Sequence, residues 1–306
     1  MKQLKFFLLR EKIIGLIREF FIRKRFHEVI TPVLNNTIPL EPNIYPFQTE
    51  WTTVDGIKKM YLSTSPEKNL KEMLAMGLGN CFSVGHSFRN LESAGSLHTP
   101  EFLMLEWYRK NASYGDIMND VRKLILYIQK KMKIIPMYDQ SNDWAHYPLT
   151  GLFKKYTSLH LEEIVLSDEK LFAYAKKKGY QTKNTSWDNL YDQIFVSEIE
   201  PKLPKNPCFL VDFPSRISPL CTPKKDAPHF AERFELYILG VELANGNTEN
   251  TDIQLVKKGL RHPIDDEFLA SLKKMGNASY AGIGLGVDRL SMLFSGSRSL
   301  NYIKFD

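Results

Sequence analysis

Two runs of strand-forming residues, "NCFSVGHSFR" at 80–89 and "EFLMLEWYR" at 101–109, flank a loop rich in Ser, Gly and Asn. Both are enriched in aromatic and aliphatic residues and partly alternate, which predicts an antiparallel pair. Such a pair carries Arg89 on one strand and Glu106 on its neighbour, and the rest of the chain must build around it.

The flanking segments supply both helices and further strands. From Leu4 to Phe21, Ile13, Ile14, Ile17, Phe20 and Phe21 recur at helical spacing with Arg and Lys between them, predicting an amphipathic helix. "FHEVITPVL" reads as a short strand ended by Pro32. Residues 114–132 place Ile117, Val121, Leu124, Ile125 and Ile128 on one helical face. Helices are also predicted at 168–178, stopped by Gly179, and at 187–199, opened by Ser186. Two strand candidates follow, "CFLVDFP" and "ERFELYILGVELANG", then a helix opened by "HPIDDEF" with Pro263 in its first turn. The last element, "GIGLGVDRLSMLF", reads as a glycine-punctuated strand running into a helix. Strands interrupted by helical inserts, with no internal repeat or linker, indicate an α+β domain around a mainly antiparallel sheet, one domain over 1–306.

Composition limits the alternatives. Of 306 residues, 43% are hydrophobic and 25% charged, enough for a sizeable core. A net charge of +6 favours the approach of nucleotides, nucleic acids or acidic proteins without choosing among them. Cys81, Cys208 and Cys221 are widely spaced and form no CxxC pair, so neither a disulfide framework nor a zinc site is suggested, and a reducing cytosol fits. The apolar start "FFLL" is cut by Arg10, Glu11 and Lys12, and we expect no targeting or membrane segment. The lysine runs at 130–133 and 176–178 fall at helix ends, where cations favour the dipole.

A site that binds ATP in a bent form and lets a carboxylate attack its α-phosphate needs cations for the phosphate oxygens, paired carboxylates for Mg²⁺ and an aromatic face for adenine. Arg89 and Arg289 are the candidate catalytic cations, since a guanidinium fork matches phosphate oxygens in two directions. Glu235 and Glu242 are the candidate metal carboxylates. Seven residues apart, they would face opposite sides of a regular strand, so a bend or bulge near Gly240 is required to bring them together. Phe102 is the candidate stacking ring. Taken singly, each has a plainer explanation: a surface arginine, a solvated glutamate pair, a core phenylalanine.

Taken together they are recognisable. "FRN…HTPEFLMLEWY" resembles motif 2 of class II aminoacyl-tRNA synthetases, "GIGLGVDRL" resembles motif 3, and "FFIRKRFHEVITPVL" resembles the weaker motif 1 with Pro32 in its proline position. "TSPE" at 64–67, "EFLMLEWY" and "ELANGNTENTD" at 242–252 are similar to the lysyl branch. Motif 1 begins within the first thirty residues, so an N-terminal anticodon-binding domain is not expected, and a free-standing lysyl-type core resembles the elongation factor P lysine ligase family.

That resemblance implies ATP and Mg²⁺ as cofactors, a lysine or β-lysine substrate activated as an adenylate, and elongation factor P as acceptor. Residue by residue, it implies Arg89 on the α-phosphate and substrate carboxylate, His98 and Arg289 on the outer phosphates, Phe102 on adenine and Glu235 with Glu242 on Mg²⁺. Glu92 is the candidate for recognising adenine. Glu67 would hold the backbone amine, Glu106, Tyr108 and Glu249 the terminal ammonium, and Asn245 the carboxylate. A buried ammonium requires such carboxylates. Gly284 stands where the ligase family typically has alanine and lysyl-tRNA synthetases have glycine. Other departures are Leu91 in place of a motif 2 glutamate, a loop one residue longer, Thr99 for asparagine and Asn247 for phenylalanine. A tRNA-charging enzyme and a catalytically silent paralogue are the alternatives. A cytoplasmic homodimer is expected, the latter because the apolar stripe Ile13–Phe21 calls for a partner.

Overall fold

The computed structural model describes residues 2–37, 44–91, 95–135, 138, 144–260, 266–276 and 278–302. Its first half runs α1 (Lys2–Arg23), β1 (His27–Glu28), β2 (Leu34–Asn35), β3 (Gln48–Thr53), β4 (Gly56–Leu62), α2 (Glu67–Ala75), β5 (Cys81–Phe88), β6 (Glu101–Lys110) and α3 (Tyr114–Met132). After β7 (Ala145–Pro148) come α4 (Leu149–Thr157), α5 (Leu161–Ile164), α6 (Asp168–Lys178) and α7 (Trp187–Ile194). The chain then follows β8 (Cys208–Pro214), β9 (Phe230–Ile238), β10 (Val241–Thr248), α8 (Ile253–Gly259), α9 (Asp266–Met275), β11 (Tyr280–Gly286) and α10 (Val287–Phe294).

Eight strands form one sheet in the order β1-β5-β6-β11-β10-β9-β8-β7. The pairings β1/β5 and β7/β8 at its two edges are parallel and those between are antiparallel. The expected α+β architecture is therefore present. A small sheet β2-β4-β3 stands apart.

Alternation along the strands gives the large sheet two different faces. Leu105, Trp107, Phe234, Leu236, Ala281, Ile283 and Leu285 point to one side, into a core closed by α1, α3 and α10. The opposite side is covered only at its ends. At one end α2 and α9 pack through Leu70, Leu74, Phe268 and Leu272, and at the other α4 to α7 pack through Phe153, Trp187 and Tyr191. The stretch between these two clusters is left open as a cleft.

Several boundaries follow local chemistry. Ser113 and Asp116 form a capping box at the start of α3, Gly179 ends α6 at φ +81, and the Ser186 hydroxyl accepts from the Asn189 amide. Two expectations need correction. "ERFELYILGVELANG" is not one strand but the β9–β10 hairpin, turned by Leu239 and Gly240 with φ of 55° and 77°. The stripe Ile13, Ile17 and Phe21 is fully buried against the chain's own sheet and α3, so it needs no second subunit. "HPID", at 262–265, lies outside the described residues.

Candidate active site

The cleft encloses about 500 Å³ and is floored by β6, β11 and β10. On β6 the core-facing positions alternate with Phe102, Met104, Glu106 and Tyr108, which line the cleft. β11 lies beside it in the register Gly282↔Tyr108 and Gly284↔Glu106, and its cleft-facing positions are the glycines 282, 284 and 286. A Cβ on Gly282 would stand 2.2 Å from the Tyr108 ring, so the ring occupies the space that this glycine leaves.

At one end of the cleft, the Tyr108 hydroxyl donates to Glu106 Oε1 at 2.6 Å. Burial, then the charges of Glu106, Glu67 and Glu249, hold that hydroxyl far above its ordinary range, so it remains a donor. Glu67 opens α2 and lines the same wall. Glu249 stands behind the wall, 5% exposed, and accepts from the Asn247 amide at 3.0 Å. Lys71, four residues after Glu67, reaches both carboxylates, at 2.5 Å from Glu67 Oε1 and 2.6 Å from Glu249 Oε2. Sequence reading passed over Lys71. Its signal was a lysine set among Leu70 and Leu74 on the buried face of α2.

At the other end, the Arg89 guanidinium lies 5.3 Å from the centre of the Phe102 ring. Arg289 donates from Nη1 to the Glu242 carbonyl at 2.8 Å, and its Nη2 is 3.1 Å from His98 Nε2. Asp288 beside it accepts from the Leu103 amide at 2.7 Å and pairs with Arg10 at 3.0 Å, tying α10 and α1 to the strand that carries Phe102.

Glu235 and Glu242 come together as the expectation required. The hairpin turn reverses the chain, and a bulge between Glu242 and Ala244 changes which residues of β10 face the cleft, so that Glu242, Asn245 and Asn247 all do. Glu235 is 8% exposed, accepts from Arg233 Nη2 at 2.8 Å and from the Tyr237 hydroxyl at 3.3 Å. Burial, reinforced by the neighbouring charge of Glu242 and opposed by Arg233, pushes its carboxyl up to about 7. Two carboxylates that line one cleft and repel each other fit a divalent cation, and Mg²⁺ ordinarily takes one or two carboxylates and fills its remaining positions with phosphate oxygens and water. Arg233 is a second residue missed in sequence. It lies over the Phe213 ring at 4.4 Å and donates to Ser218 Oγ at 3.2 Å, which fixes the partner of Glu235.

Of the other expected residues, Asn245 sits opposite Glu235 in register and lines the cleft. Glu92 lies outside the described residues. Cys221 reaches the cleft wall, but burial pushes its thiol up to about 12, which leaves it an inert lining group.

Cations and an aromatic ring at one end of an antiparallel floor, carboxylates at the other, and motifs 2 and 3 supplying the adjacent strands define a class II synthetase-type ATP-dependent ligase. The family model for "tRNA synthetases class II (D, K and N)" matches residues 1–305, and the chain belongs to that family. It is 35% identical over 305 residues to the elongation factor P (R)-β-lysine ligase of Baumannia cicadellinicola, covering 93% of this chain and 89% of that protein. Against the ligase of the same name from Pasteurella multocida it is 35% identical, with 97% and 93% covered. A lysine–tRNA ligase of Carboxydothermus hydrogenoformans is 31% identical over 96% of this chain but 63% of its own length.

Proposed function

We propose that this protein activates a lysine-type amino acid with ATP as an aminoacyl-adenylate and transfers the acyl group to a lysine side chain of elongation factor P. The observation that carries this reading is the polarity of the cleft, with Arg89, Phe102 and Arg289 at one end and Glu67, Glu106 and Tyr108 at the other. A substrate carboxylate placed between the two ends meets the α-phosphate, while its ammonium groups rest among carboxylates.

In the first step a carboxylate oxygen attacks the α-phosphorus and the bond to pyrophosphate breaks. Arg89 neutralises charge at the α-phosphate, Arg289 and His98 hold the outer phosphates, and Phe102 stacks on adenine. Glu235 and Glu242 would hold Mg²⁺, which supplies positive charge to the phosphate oxygens when bound. In the second step the acceptor amine attacks the activated carbonyl, the bond to AMP breaks, and an amide forms with loss of a proton. Glu106 and Tyr108 receive the terminal ammonium, with Glu249 behind them, and Asn245 meets the carboxylate.

Elongation factor P is favoured as acceptor because the chain is 35% identical to the two ligases named for it, against 31% to the lysine–tRNA ligase. The identity to the lysine–tRNA ligase supports a second reading in which tRNA is the acceptor. A cytoplasmic location fits the three cysteines, all of them free. Among the described residues, no helix is long and apolar enough to cross a membrane. ATP–pyrophosphate exchange with a panel of amino acids, followed by transfer to elongation factor P or to tRNA, tests both readings. Absence of exchange with every lysine-type amino acid would overturn them together.

A further inference from the structure

Lys71 is the only lysine among the largest fully buried side chains of the described residues, with 1% of its surface exposed. Its ammonium lies within 2.6 Å of two carboxylates on different elements, Glu67 on α2 and Glu249 just past β10. The aromatic rings of Tyr108 and Phe268 flank it at 5.8 and 5.9 Å. A buried ion pair is a weak source of stability, because apolar residues of the same volume often serve as well. The location of this one supplies a chemical reason for it. Glu67, Glu106 and Glu249 converge at the amino-acid end of the cleft, and without a cation such a trio would take up a proton rather than hold three adjacent charges.

We propose that Lys71 is a positioning residue for the amino-acid half of the site: its ammonium fixes the places of Glu67 and Glu249 and offsets one of the trio's formal negative charges, leaving two to meet the two ammonium groups of a diamino acid. This rests on the lysine reading above. Glu249 Oε2 is buried and lies 2.6 Å from Lys71 Nζ, so the ammonium holds that oxygen in place. Its other oxygen is held by Asn247, which leaves the carboxylate little freedom to rotate. Burial alone would lower the Lys71 pKa, but Glu249 and Glu67 together raise it above its ordinary value, so the cation persists.

The test uses full-length wild type, Lys71→Met, Lys71→Arg and Lys71→Ala in ATP–pyrophosphate exchange, with ethylammonium added to the alanine variant. Methionine keeps the packing and removes the charge. We expect the KM for lysine to rise roughly tenfold to a hundredfold in Lys71→Met, the scale of a charged hydrogen bond, with the KM for ATP within about threefold. Arginine should recover much of that loss, and ethylammonium should restore lysine-dependent exchange to Lys71→Ala. Wild-type exchange with lysine combined with an unchanged lysine KM in Lys71→Met would overturn this inference alone. So would a loss that affects both substrates equally and is not relieved by ethylammonium. If Lys71→Met does not fold, the alanine variant with ethylammonium decides. A wild type inert toward every lysine-type amino acid would overturn the underlying reading instead.

Discussion

Replacing Glu235 by glutamine separates the stability of this protein from its chemistry. Burial and the nearby charge of Glu242 raise the Glu235 carboxyl from 4.5 to about 7. The folded protein therefore favours the protonated form, and the stability it contributes is fully present below about pH 4.5 and lost as pH rises through about 7. At about 1.36 kcal/mol for each pH unit between those two values, the loss approaches about 3 kcal/mol. Glutamine mimics the protonated acid and carries no such dependence. Urea unfolding at about pH 5 and about pH 8 should show wild type losing up to about 3 kcal/mol more than Glu235→Gln between those conditions. The buried Glu249 is raised in the same direction, but it is common to both proteins and cancels in the comparison. At about pH 8 without nucleotide the variant should be at least as stable as wild type, while its exchange activity falls ~10²-fold or more. Mg²⁺ should stabilise wild type and leave the variant unmoved. Parallel pH profiles in the two proteins would refute the reasoning, because Glu235 would then not be a carboxylate that the fold strains to keep ionised.

Arg89→Ala should abolish adenylate formation with the fold intact, with a loss of ~10²-fold or more; near-normal exchange with an unchanged circular dichroism spectrum would remove Arg89 from the phosphate role. A methyl added at Gly284 would meet Met104 Sδ at 3.6 Å and Glu106 Oε2 at 4.0 Å, ordinary contacts, so Gly284→Ala should fold normally. We expect the native protein to use α-lysine at least as well as β-lysine and the alanine variant to shift that ratio by about 1–3 kcal/mol; a native preference for β-lysine of about a hundredfold, unaltered in the variant, would show that Gly284 does not set the choice. A homodimer is expected from the exposed apolar residues Ile30, Val33 and Leu34 around motif 1, which are 94%, 40% and 44% exposed. Light scattering that finds only monomer at micromolar concentration would count against it.

The antiparallel pair β5–β6 and the helix α3 were readable because alternation and helical periodicity report directly on a single buried face. The β9–β10 hairpin was hidden by its own turn. Leu239 is apolar and sits at positive φ, so the hydrophobic run continues through the reversal with only Gly240 to mark it. Periodicity placed Ile13, Ile17 and Phe21 on one face of α1 but carried no information on what covers that face, which proved to be the chain's own core. Motif residues such as Arg89, Glu106 and Arg289 were legible through the resemblance of their segments to motifs 2 and 3 of class II synthetases. Lys71 and Arg233 were not, since a charged side chain reads as solvent-facing unless its carboxylate partners are already placed in space.

The bulge between Glu242 and Ala244 is a hinge of parity between two halves of one site. On its near side lies Glu242, the proposed metal carboxylate, and beyond it Asn245 and Asn247 line the rest of the cleft. Glu242 and Asn245 are three residues apart and would face opposite sides of a regular strand; taking one residue out of the ladder between them is what lets both face the cleft. The two halves of the cleft wall are thus joined by one irregular step in the backbone, and drawing the extra residue back into the ladder, a slip of one place, would turn one half away from the cleft while the other kept its facing.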